Sequence, residues 1–95
     1  MSEHTDPVRR VVTVSGRVQG VGFRMAAQSE AERIGVGGTA RNLLDGRVEV
    51  AIEGTEADVS EMVEWLRSGP SSARVTHVDV RPEDPRGADA FRVTG

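Results

Sequence analysis

The chain has 95 residues, 37% of them hydrophobic, and a formal charge of −3 with no acidic or basic block. That is enough for one small domain with one core, and it carries no electrostatic footprint for nucleic acid. The sequence has no cysteine, and all twelve basic side chains are arginine, so disulfides, thiolate metal sites, thiol nucleophiles, a P-loop lysine and Schiff-base chemistry are all excluded.

Met1 to Pro7 is polar and reads as a flexible N-terminal tail, leaving 8–95 as a single domain. Val8 to Ser15 is rich in β-branched residues and predicts a first strand. A glycine-rich turn follows. Phe23, Ala27, Ala31 and Ile34 then recur at helical spacing. Arg33 suits the helix C-terminus and Gly35 stops it, so the first helix is expected over 23–34. Thr39 to Leu44 predicts a short strand, and Asp45-Gly46 a hairpin turn. Arg47 to Glu53 alternates, with Val48, Val50 and Ile52 on the core face and Glu49, Ala51 and Glu53 opposite. Thr55 is a candidate N-cap for a helix over 56–67, in which Val59, Met62, Val63 and Leu66 form one stripe. Arg74 to Arg81 predicts a fourth strand, 82–88 a loop, and Phe91 with Val93 a short last strand. The order gives an α+β fold: a ferredoxin-like βαββαβ two-layer sandwich with an additional short C-terminal strand.

The candidate chemistry begins at Val14 to Arg24, VSGRVQGVGFR. Glycines let successive backbone N–H groups face one anion, and the following helix adds the positive end of its dipole. Arg24 opens that helix, where a planar guanidinium can grip two phosphate oxygens. An ordinary glycine-rich strand-to-helix turn is the competing reading. A second segment, Gly38 to Asn42, brings an amide to the end of a short strand. Asn42 can hold a water through its side-chain oxygen, or it can cap the turn before Asp45-Gly46.

Together the two segments resemble the two signatures of the acylphosphatase family. Val14 to Arg24 is similar to the first, position for position. Gly38 to Gly54 is similar to the second: a glycine, a variable pair, the basic Arg41, Asn42, then Gly46, Val48 and Gly54. The likeness runs from about Val8 to the C-terminus. It implies a ferredoxin-like domain that hydrolyses the carboxyl–phosphate bond of acyl phosphates to carboxylate and inorganic phosphate. It assigns phosphate binding to the loop Arg17, Val18, Gln19, Gly20, Val21, Gly22, Phe23 and Arg24, and orientation of the attacking water to Asn42. Arg24 and Asn42 are then the catalytic pair. A phosphate-, acyl-phosphate- or carbamoyl-phosphate-binding domain of the same fold, without turnover, is the alternative. The chain departs from the family at Ala26 and Ala27, where an aromatic residue and a threonine are common, and at Thr39, where an aromatic is usual. Smaller neighbours there predict a less firmly held water at Asn42.

The leaving group of an acyl phosphate is a carboxylate, whose conjugate acid has a pKa near ~4. No general acid is needed, so neither a catalytic histidine nor a metal or cofactor is expected. The expected partners are the acyl phosphate and inorganic phosphate as product and inhibitor. Scarce aromatics argue against an RNA-stacking surface. With no bilayer-length apolar run and no signal peptide visible, no membrane partner is expected, and a monomer in the cytoplasm is. Among the remaining residues, His4 and His77 are far apart. Glu49 and Glu53 read as a solvated strand face, Arg9-Arg10 as surface charge, and Trp65 as a packing edge.

Overall fold

The computed structural model describes residues 6–95. Most of the expected tail, and His4, lie outside the described residues. The elements are β1 (Val8–Arg17), α1 (Phe23–Ile34), β2 (Gly37–Asn42), β3 (Val48–Gly54), α2 (Glu56–Leu66), β4 (Arg74–Glu83) and β5 (Phe91–Thr94). The strands form one sheet in the order β4-β1-β3-β2-β5, antiparallel throughout except that β5 runs parallel to β2. This is the expected ferredoxin-like sandwich with its extra strand, and β5 forms one edge.

Alternation decides which face the helices cover. Val12 lies opposite Val50 on β3 and Val80 on β4, and Val50 in turn lies opposite Ala40 on β2. The resulting core face holds Val12, Val14, Val48, Val50 and Ile52, all fully buried. Helix α1 presses Phe23, Ala27 and Ala31 against it, and α2 presses Val59, Met62, Val63 and Leu66. The α2 stripe matches the sequence pattern residue for residue. The cap works as expected, the Asp58 amide donating to Thr55 Oγ1 at 3.2 Å. Trp65 sits beside the stripe and tilts against Phe23, with ring centroids 6.0 Å apart, so it packs α2 onto the start of α1.

Several strand limits differ from the sequence reading. β1 runs on to Arg17 through a bulge at Ser15/Gly16. β2 starts two residues early. Its Gly38 (φ 141°) leans so close to β3 that a Cβ there would collide with the Ala51 carbonyl oxygen. β4 continues past Arg81 to Glu83, taking in Pro82. As the edge strand it has β1 as its only neighbour, so the missing N–H of Pro82 costs no ladder bond on its other side.

The outer face corrects the two expectations about charge. Glu53 and Arg9 are not solvated: they are 3% and 6% exposed. Arg9 Nη1 donates to Glu53 Oε1 at 3.1 Å and Arg9 Nε to Glu83 Oε1 at 2.8 Å. Glu53 also accepts the backbone N–H groups of Arg86, Gly87 and Ala88 at 2.8, 2.7 and 3.2 Å. The β4–β5 connection thus folds over the sheet and closes on this carboxylate. Alternation put Glu53 outward correctly, but outward here means under a loop. Glu49 stays half-buried, paired with Arg41 at 2.9 Å.

Burial alone would push the Glu53 carboxyl up. The amides of Arg86 and Gly87 and the Arg9 guanidinium more than offset this and hold it below its ordinary value of 4.5. Such a group stabilises the fold above its unfolded pKa, and the contribution is lost as pH falls through the folded pKa. Unfolding free energy should therefore decline on acidification below about pH 4.5. Glu53→Gln should make that decline shallower, and an unchanged slope would exclude Glu53 as its source. Glu53→Ala leaves three amides and Arg9 Nη1 without their acceptor, Arg9 keeping Glu83, so urea denaturation should show a loss of about 3 kcal/mol.

Candidate functional site

Where β1 ends, the chain must turn onto α1, and it does so through two glycines in the left-handed region, Gly20 (φ 76°) and Gly22 (φ 77°). Gly22 is the N-cap of α1. It offers no side chain to accept from the first amides, and the first turn carries no acidic residue. Those amides are left for water or an anion, with the helix dipole behind them. The side chains of Val18 and Phe23 are buried in the core at 1% and 2% exposure. They anchor the loop from beneath, and the polar surface it presents is therefore mostly backbone.

Arg24 opens the first turn of α1, and Asn42 ends β2 on the same sheet face as Ala40. The two line one cavity of about 110 Å³ together with Val18, Gly20, Gly22, Phe23 and Met25. The sequence-predicted pair is thus brought together with most of the loop. Arg17 is exposed at the end of β1 and does not line this cavity. Gln19 and Val21 do not line it either, and each is used to hold the loop in place.

Three tethers fix the loop and its arginine. Gln19 Nε2 donates to the carbonyls of Leu43 and Arg47, at 2.8 and 2.9 Å, across the β2–β3 hairpin. The hairpin itself closes through Leu43 N–H to Arg47 O at 2.8 Å, with the Asp45 carboxylate accepting the Arg47 amide at 3.1 Å. Ser72 Oγ, from the α2–β4 connection, donates to the Val21 carbonyl at 2.7 Å. Arg24 Nη1 donates to the Thr94 carbonyl on β5 at 3.0 Å. One guanidinium nitrogen is thereby committed, which orients the remaining donors of the fork. Ser72 and Thr94 are contacts of the loop and its arginine that the sequence reading missed. Both act across the fold, and Thr94 does so through its backbone alone.

Of the three departures from the family pattern, Thr39 stands on the other side of the sheet from Asn42. Thr39 lies on the outer face, opposite Ala51 and Arg92, while Asn42 follows the core-face register of Ala40. Its small size leaves the Asn42 side untouched. Ala27 is fully buried under α1, and the Ala26 amide makes the first helical bond, to Gly22 O at 3.0 Å. His77 lies on β4, away from this cavity. Among the described residues no group of three or more histidine or acidic side chains is arranged to hold a metal ion.

A family model described as acylphosphatase matches residues 10–93. An acylphosphatase of Roseiflexus sp. is 54% identical over 84 residues, 88% of this chain and 90% of that protein. One from Thermococcus kodakarensis is 48% identical over 88 residues, 93% of this chain and 97% of the relative. The crystal structure of acylphosphatase from Bacillus subtilis superposes with a TM-score of 0.89 at 35% identity, covering 93% of this chain and 99% of that one.

The Gln19 tether is open to direct test. Gln19→Ala removes two hydrogen bonds worth about 1 kcal/mol each, so backbone NMR order parameters across 20–22 should fall below the rigid range while those of α2 stay unchanged. Unchanged order parameters in the loop would mean that the hairpin does not hold it.

Proposed function

The chain belongs to the acylphosphatase family, enzymes that hydrolyse the carboxyl–phosphate bond of acyl phosphates, and we propose that it does so with Arg24 and Asn42 in the cavity between α1 and β2. The single observation that supports this most is their convergence beside a helix N-terminus that no side chain caps. The amides following Gly20 and Gly22 and the free donors of Arg24 bind the phosphoryl oxygens. Val18 and Phe23 keep the backbone in place by packing, and Gln19 and Val21 by their bonds to the hairpin and to Ser72. Arg17 adds positive charge at the rim.

Asn42 accepts a hydrogen bond from the attacking water through its side-chain oxygen and holds it in line with the scissile bond. Water adds to phosphorus, the phosphorus–oxygen bond to the acyl group breaks, the carboxylate leaves with the bonding pair, and the water's protons stay on the oxygens of the phosphate formed. Its low basicity removes the need for a proton donor. Catalysis is then positioning plus stabilisation of charge on the equatorial oxygens. An alkoxide leaving group needs a proton that no side chain lining this cavity supplies, so alkyl phosphates are poor substrates. The proposal takes the chain as a cytoplasmic monomer, with inorganic phosphate as both product and competitive inhibitor.

Hydrolysis of benzoyl phosphate in EDTA, followed by the loss of its ultraviolet absorbance, tests the assignment. Arg24→Ala should lower kcat/KM by at least ~10²–10³-fold, because it deletes a charge and the donors that face developing charge. It should also weaken inhibition by phosphate. Asn42→Ala should lower kcat by about 10²-fold or more while phosphate inhibition stays within about threefold of wild type, a range set by Asn42 touching water rather than phosphate. Equal loss of phosphate inhibition in both variants would refute the division of roles.

A further inference from the structure

We propose that Met25 is the residue that selects the acyl group, favouring aromatic and other apolar acyl phosphates over acetyl phosphate. This rests on the catalytic reading above, because it assigns the part of the substrate that the phosphate cradle does not hold. The cavity measures about 110 Å³, a space in which water takes ~30 Å³ per molecule. A phosphoryl group and one attacking water fill it, so an acyl group larger than acetyl has to lie at its mouth.

Three large apolar side chains are exposed among the described residues: Met25 at 60%, Leu44 at 109% and Val80 at 37%. Val80 lines a separate groove against α2, and Leu44 stands on the hairpin without lining the cavity. Met25 alone of the three borders the cavity. It follows Arg24 in the first turn of α1, so the helix that presents the phosphate-binding arginine also presents the thioether beside it. The other apolar residues of the lining, Val18 and Phe23, are committed to the core. A thioether on an unbranched chain adapts to ligands of different shape and makes favourable contacts with ring edges. Its contact with the acyl group does not change as the phosphorus–oxygen bond breaks, so it acts as uniform binding and shows in KM rather than kcat.

The test compares benzoyl phosphate with acetyl phosphate in wild type, Met25→Ser and Met25→Leu. Met25→Ser should raise KM for benzoyl phosphate by roughly tenfold, the usual consequence of removing a small apolar contact from a binding pocket, and the ratio of kcat/KM for benzoyl over acetyl phosphate should fall with it. Met25→Leu should retain most of the wild-type ratio. If the serine variant changes both substrates in parallel, or neither, Met25 does not select the acyl group even though the catalytic reading stands. Wild-type turnover of neither substrate would overturn that reading, and this inference with it.

Discussion

The buried carboxylate of Glu53 is the contact on which the far side of the sheet depends. It lies in β3, takes a guanidinium from β1, and receives three consecutive amides from the β4–β5 connection. That connection has no core of its own, so its path is set by where its backbone donors can be satisfied. With Glu53 in place it crosses the sheet and delivers β5 to the edge of β2. β5 then supplies the Thr94 carbonyl that holds Arg24. A charge interaction on one face of the sheet thus determines where a carbonyl stands beside the cavity on the other.

The cradle divides its labour between side chain and backbone. The side chains of Val18 and Phe23 are buried in the core. In the proposed site the backbone, turned by two left-handed glycines, presents the donors. Cβ atoms at Gly20 or Gly22 would meet no neighbour within 4 Å. The requirement there is for backbone conformation, not for space. At Gly38 both requirements apply: its φ is 141°, and β3 leaves no room for a side chain. The two motifs thus contain glycines under different physical constraints, and only the structure separates them.

Local pattern made much of this legible. The i, i+3, i+4, i+7 stripe of α2, the Asp45-Gly46 turn and the alternation of β3 each depend on neighbours in sequence, so each could be read from the chain. Arg24 and Asn42 could be singled out because the two motifs carry them, and the fold brings both to one cavity. What stayed hidden acts over long range. Outward-facing Glu53 looked solvated because nothing local announces a loop that returns 33 residues later to cover it. Pro82 fell in the expected 82–88 loop, yet it belongs to an edge strand, where its missing N–H costs no ladder bond on the open side. Ser72 meets Val21 across 51 positions and Thr94 meets Arg24 across 70.

The three tethers share one property: every acceptor is a main-chain carbonyl. Gln19, Ser72 and Arg24 donate to the backbone at Leu43, Arg47, Val21 and Thr94. Any residue type at those four positions offers the same oxygen in the same place, provided the strand or turn keeps its course. Relatives can therefore drift at the anchoring positions without a compensating change in the loop, and covariation between loop and anchor would be weak. Where selection acts on such a cradle, it acts on the three donors and on the shape of the elements they hold, leaving the side chains of their partners free to vary.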